Sequence, residues 1–173
     1  FAETTDSDHI QDIIDIIEPV LKQDGNVLLN GVSKSGSTTE TIANFEILVE
    51  KLEEYKEDPG KFITVTTGRD SPFYELALDK GYSTLEIPEK VGGRYSVFSP
   101  VGLYPLAVVG INIDELLEGA KKVRERCLSG DVFENPASRS AATIYENKMK
   151  GNSIHDLFLY GKDLESVGKW YRQ

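Results

Sequence analysis

Residues 26–41 read N-V-L-L-N-G-V-S-K-S-G-S-T-T-E-T. A short apolar run of strand length (26–32) passes straight into a loop crowded with hydroxyls. Beyond it Ile42, Phe45, Leu48, Val49 and Leu52 recur on one helical face. A strand that turns at once into an amphipathic helix is the first half of a βαβ unit. Working outward, K-F-I-T-V-T-T (61–67) is rich in β-branched residues and reads as the next strand. Ser71-Pro72 then supplies a cap and a proline first turn, Gly81 a stop, and S-T-L-E-I (83–87) a third strand. Upstream, Ile10, Ile13, Ile14 and Ile17 share a helical face behind the cap candidates Asp6 and Ser7, with Gly25 as terminator. The series predicts an α/β fold: a parallel sheet with helices on both faces and right-handed crossovers.

From about residue 95 the pattern turns helical. The stretch 95–109 is apolar and contains Pro100 and Pro105, 113–128 opens with the capping-box spacing Asn112 to Glu115, and 136–150 opens with Asn135-Pro136 and closes at Gly151. I-H-D-L-F-L-Y (154–160) predicts a further strand, followed by a helix over D-L-E-S-V-G-K-W-Y-R-Q, so a new unit is expected to begin near 151.

The chain has 173 residues, enough for one full-sized core, and 39% hydrophobic with 28% charged residues is the composition of a soluble globular protein. The net charge of −10 and the lack of a Lys/Arg stripe argue against nucleic acid as a partner. No apolar run approaches the roughly 18 residues of a membrane span, so no membrane partner is expected. One cysteine, Cys127, excludes an internal disulfide and fits a reducing compartment; a cytoplasmic location is expected. The chain opens at Phe1 and its only methionine is Met149, so residues are expected to precede it.

In a parallel sheet, ligands bind outside the carboxyl ends of the strands, where the next helix offers free N–H groups and the positive end of its dipole. The loop 33–41 lies at such a place. Ser33, Ser35, Ser37, Thr38, Thr39 and Thr41 supply neutral donors for a phosphate, and Gly36 lets the backbone come close. Gly31 and Gly36 have Walker spacing, but Ser37 stands where lysine is needed. The nucleophile elbow fails at Ser35, and S-x-x-K at Ser166 to Lys169 lacks its companion motifs. A hydroxyl cradle for a phosphate monoester remains, against the plainer reading in which Ser37 caps the helix and Glu40 closes a capping box.

The second dense stretch is E-K-V-G-G-R-Y-S-V-F-S-P-V-G (89–102). Its paired glycines permit a tight turn after the third strand and place Arg94 beside the same carboxyl edge. A guanidinium suits an oxyanion that develops during reaction as well as a phosphate, although a surface ion pair would also use it.

The two stretches together resemble the sugar isomerase (SIS) domain of the glucose-6-phosphate isomerase family. S-K-S-G-S-T-T-E-T is similar to its phosphosugar-binding motif and V-G-G-R-Y-S-V-F-S-P-V-G to its Gly-Gly-Arg signature. The likeness extends through 113–150 to the closing K-W-Y-R-Q. It implies an SIS-type, Rossmann-like three-layer αβα fold, with 1–150 as a first SIS domain lacking its N-terminal strand and 151–173 as the start of a second. It also implies that Ser33, Ser35, Thr38 and Thr41 bind the substrate phosphate, that Lys34 and Gly36 line the same pocket, and that Gly93 and Arg94 lie against the reacting end of the sugar. Ser35 stands where many members have threonine, which keeps the hydroxyl.

The implied chemistry interconverts glucose 6-phosphate and fructose 6-phosphate through a cis-enediolate, in glycolysis and gluconeogenesis, without metal or organic cofactor and in a homodimer. The sequence also departs from the family. A Gly-Gly-Ser turn would precede Phe1, and the glutamate base belongs to a Gly-Glu-Ser motif a few residues beyond the segment that K-W-Y-R-Q resembles. The ring-opening histidine and a further lysine lie later still.

Among the residues present, Glu40 is better explained by capping and Glu86 by its place in a strand. His9 reads as solvated, His155 as a structural histidine, Cys127 as core, and Trp170 and Tyr171 as core or interface aromatics. Besides the enzyme, a regulatory SIS module that senses phosphosugars without turnover fits the cradle, and so does an isomerase of another phosphosugar such as a mannose phosphate. Arg94 favours an enzyme, because a sensor has no developing oxyanion to stabilise.

Overall fold

The computed structural model describes residues 1–2 and 4–173. Contacts divide the chain into two compact units, Phe1–Val109 and Gly110–Gln173.

In the first unit, three parallel strands, β1 (Leu29–Ser33), β2 (Ile63–Thr67) and β3 (Ser83–Glu86), form one sheet in the order β1-β2-β3. Leu29 lies opposite Ile63, and Thr67 opposite both Ser33 and Glu86, so the three carboxyl ends finish level. The central strand is buried throughout, as a strand covered on both faces must be. One face carries Ile63 and Val65. Against them pack Leu21 of α1 (Ser7–Lys22), Phe45, Val49 and Leu52 of α2 (Thr39–Glu53), and Phe73 and Ala77 of α3 (Pro72–Asp79). Gly31 makes this contact possible: a Cβ there would meet Phe73 at 2.7 Å and Phe45 at 2.8 Å, where those rings stack edge to face.

The other face of β2 carries Thr64 and Thr66, both buried and both satisfied. Thr64 Oγ1 lies 2.8 Å from the Tyr104 hydroxyl of α4 (Pro100–Val108), which covers this side, and Thr66 Oγ1 donates to Asn30 Oδ1 of β1. The predicted α/β architecture, a parallel sheet between helical layers, is the one found.

Several boundaries differ from the sequence reading. Asp6 caps α1 as expected, but the left-handed residue after it is Asp24 (φ 58°), one position before Gly25. The apolar stretch near 95–109 is two elements, a 3-10 turn (Gly93–Phe98) and α4, divided at Ser99-Pro100.

The second unit holds α5 (Ile113–Cys127), α6 (Pro136–Met149), a 3-10 turn (Lys162–Leu164) and α7 (Glu165–Arg172). Asn112 caps α5, with Oδ1 accepting from the amides of Asp114 and Glu115 and Nδ2 donating to Glu115 Oε1, the reciprocal pairing its spacing predicts. Asn135 is buried, caps α6 and donates to the Cys127 and Ser129 carbonyls, which joins the end of α5 to the start of α6. The strand expected at 154–160 does not form. The run is irregular and exposed, because β structure needs a neighbouring ladder and no described segment supplies one. His155 meets Tyr171 edge to face, while Trp170 and Tyr171, at 51% and 53% exposed, are not core residues.

Candidate phosphate cradle at the carboxyl edge of the sheet

Ser33 is the last residue of β1 and is buried. Its hydroxyl accepts from the Gly36 amide at 3.1 Å and donates toward Thr38 Oγ1 at 3.3 Å, closing the loop on itself. Gly36 takes φ 66°, and a Cβ there would stand 2.7 Å from both Cβ and Oγ of Ser71, so backbone and neighbour both require glycine. Ser37 donates through its hydroxyl to Ser35 Oγ at 3.1 Å.

The helix that follows starts one residue later than the capping-box reading requires. Its N-cap is Thr38, not Ser37, and the Thr38 side chain makes no cap hydrogen bond to the first amides. The first turn of α2 therefore offers amide donors that Thr38 leaves uncapped, with the positive end of the helix dipole, next in sequence to the exposed Ser35, Ser37 and Thr38. Thr41, half-buried, lies in that first turn; Glu40 is exposed.

A chain of hydroxyls steadies this loop from beneath. Thr67 Oγ1 donates to the Ser33 carbonyl at 2.5 Å and lies 2.7 Å from Ser71 Oγ, which accepts from the Tyr74 amide. A carbonyl can only accept, so the single Thr67 proton goes to Ser33, and Ser71 donates to Thr67. The order runs from the first turn of α3 through Ser71 and Thr67 to the end of β1. Ser71 is legible in the sequence as a cap; its second bond and the role of Thr67 are not, although Thr67 closes the neighbouring strand at the same edge.

The Gly-Gly-Arg stretch arrives from β3. The Ile87 amide donates to the Thr67 carbonyl, and the chain then turns through Val91 and Gly92 into the 3-10 turn on which Gly93 and Arg94 stand exposed. Ser96 Oγ donates to the Gly93 carbonyl at 2.6 Å and Ser99 Oγ to the Ser96 carbonyl at 2.6 Å. Lys34 crosses from the first loop to this one, its ammonium donating at 2.7 Å to the carbonyls of both Glu89 and Val91. The Lys34 carbonyl in turn accepts from the Gly68 amide after β2, so the loops after all three strands are linked. The structure thus brings Ser33, Lys34, Ser35, Gly36, Thr38 and Thr41 together in one loop and helix start, and sets the Gly93–Arg94 turn directly beyond a carbonyl that Lys34 holds.

Comparison with known proteins adds a family. A family model described as phosphoglucose isomerase matches residues 2–173. The chain is 37% identical to a glucose-6-phosphate isomerase of Bacillus cereus (strain AH187), over 99% of this chain and 38% of that protein. It is 34% identical to a probable glucose-6-phosphate isomerase of Haloarcula marismortui, again over 99% and 38%. Among solved structures, a hypothetical protein of Thermus thermophilus superposes with a TM-score of 0.88 at 30% identity, over 98% of this chain and 40% of that one. A glucose-6-phosphate isomerase of Chlamydia trachomatis gives 0.70 at 25%, over 85% and 28%. The chain spans 38% of the length of these first curated relatives.

Proposed function

The chain belongs to the phosphoglucose isomerase family, and from that premise we propose that it carries the phosphate grip and the oxyanion-stabilising arginine of an isomerase for glucose 6-phosphate and fructose 6-phosphate. One observation carries the reading. A hydroxyl-rich, uncapped helix start and the Gly-Gly-Arg turn meet at one sheet edge, and Lys34 links them.

In this reading Ser33, Ser35, Thr38 and Thr41 hydrogen-bond the phosphate, Ser33 by turning its proton from Thr38 Oγ1 to the ligand, and Gly36 leaves room for backbone approach. Neutral donors at a helix N-terminus hold a dianion without a competing salt bridge. Lys34 and Gly93 border the pocket. With the phosphate held, the open-chain sugar lies toward the 3-10 turn. There Arg94 stabilises the negative oxygen of a cis-enediolate while a carboxylate moves the proton between C2 and C1. Neither Glu40 nor Glu86 is assigned that base; the reading places it in the Gly-Glu-Ser segment that follows in the family pattern. Residues 1–150 are taken as most of a first SIS domain and 151–173 as the opening of a second. A cytoplasmic homodimer acting in glycolysis and gluconeogenesis, with no metal or organic cofactor, completes the proposal.

The test is a coupled assay of the complete gene product with glucose 6-phosphate. Turnover is expected, and Arg94→Ala should lower kcat by about 10²-fold, roughly 3 kcal/mol of transition-state stabilisation. Phosphosugar binding without turnover would replace the isomerase with a sensing module. Sedimentation reads the dimer.

A further inference from the structure

From its geometry we infer that Lys34 is a positioning residue for the arginine turn rather than a phosphate ligand; the inference rests on the isomerase reading above and assigns Lys34 a different part in it. An ammonium has three donors, and two of them are engaged at 2.7 Å by the carbonyls of Glu89 and Val91, which lie 55 and 57 residues further along the chain. Both are short, charge-assisted bonds to backbone, and they fix where the chain runs as it enters Gly92 and Gly93.

That entry needs an outside hold. Gly92 and Gly93 have no side chains to anchor them, and a Cβ at Gly93 would meet nothing within 4 Å. Bonds within the segment include the Val91 amide to the Pro88 carbonyl, the Tyr95 amide to the Gly92 carbonyl, and Ser96 Oγ to the Gly93 carbonyl. They shape the turn without referring it to the phosphate loop, and Lys34 provides that reference. The Lys34 backbone is in turn held by the Gly68 amide and sits one residue after Ser33, whose carbonyl Thr67 fixes. The distance from bound phosphate to Arg94 is thereby set through Lys34, and a misplacement of about 1 Å at a catalytic group lowers the rate by around 10²-fold.

The test uses the complete gene product with Lys34→Met, which keeps the stem and removes the donors, and Lys34→Arg, which restores donors. Inorganic phosphate serves as competitive probe, and amide hydrogen exchange is followed at 89–94. For Lys34→Met we expect kcat to fall at least about tenfold, KM and the inhibition constant for phosphate to change by less than about threefold, and exchange at 89–94 to rise about tenfold. Lys34→Arg should recover part of that protection.

Weakening of phosphate binding by about tenfold, with protection at 89–94 unchanged, would make Lys34 a phosphate ligand and overturn the inference. Unchanged kcat and unchanged protection would overturn it too. Exchange at 63–67 reports whether each variant is folded; if Lys34→Met is not, Lys34→Gln carries the same comparison. A wild-type protein that turns over no phosphosugar defeats the isomerase reading, and exchange at 89–94 then decides the tie by itself.

Discussion

Gly36 and Thr38 stand two residues apart in the same loop, and their alanine variants should differ in stability. Gly36→Ala forces a side chain into a left-handed backbone (φ 66°) and against Ser71, the cap of α3 and a member of the hydroxyl chain that holds Ser33. Strain and displacement together should cost about 2–4 kcal/mol, read as a lowered urea midpoint, and phosphate affinity should fall with it. An alanine variant as stable as wild type would mean that Ser71 moves aside freely. Thr38 occupies the N-cap of α2 yet its side chain makes no cap bond to the helix, and its hydroxyl accepts a long bond from Ser33 Oγ, at 3.3 Å. Thr38→Ala should therefore change stability by less than about 0.5 kcal/mol. In the complete protein it should raise KM and the phosphate inhibition constant by about tenfold while kcat stays near wild type. A loss of about 1 kcal/mol in stability with phosphate binding intact would make Thr38 an ordinary cap.

Helices α1 and α2 are joined by a charge cluster whose pH response follows from its geometry. Glu18 of α1 faces Lys22 at 3.0 Å and Lys51 of α2 at 3.5 Å, and accepts from the Tyr55 hydroxyl at 2.8 Å. The Lys22 hydrogen bond first, then that from Tyr55, hold the Glu18 carboxyl down from 4.5 to about 2. A depressed folded value means the stabilisation is present above the unfolded value and is lost as pH falls through the folded one. Wild type should thus be more stable than Glu18→Gln at pH 7, and the gap should close between about pH 4.5 and pH 2, as paired thermal melts would show. A gap independent of pH would assign the effect to packing.

The same scale shows what the sequence makes legible. Helix starts at Asp6, Ser71, Asn112 and Asn135 are readable because a cap acts within three residues of its side chain. The start of α2 falls one position later than its sequence suggests because Ser37 turns its hydroxyl to Ser35 instead. The strand expected at 154–160 is absent because an apolar run of strand length states a preference, while a ladder needs a partner. In the cradle, residue types and their order can be read directly. The Lys34 bridge cannot, since it spans 55 residues and exists only once three strand ends are level.

Across the whole molecule, burial is distributed very unevenly. The buried hydrophobic residues Leu52, Ile63, Val65 and Phe73 belong to Phe1–Val109, whereas among the described residues no hydrophobic side chain of Gly110–Gln173 is buried. Phe133, Phe158 and Tyr160 are 84%, 82% and 95% exposed, and α5, α6 and α7 have no buried residue of their own. Capping by Asn112 and Asn135 contributes about 1 kcal/mol at each helix start, too little to offset the ordering entropy of three helices without an apolar core. In the 173-residue chain by itself, amides of α5–α7 should therefore exchange at least about 10²-fold faster than those of β2, and the chain should bind a hydrophobic dye. Raising the protein concentration tests whether a second copy covers those faces. Protection of α5–α7 that grows with concentration would show a second copy packing on them. Protection equal to that of β2 at every concentration would show that the two caps and local pairing suffice, and that the exposed aromatics have no part in holding the unit together.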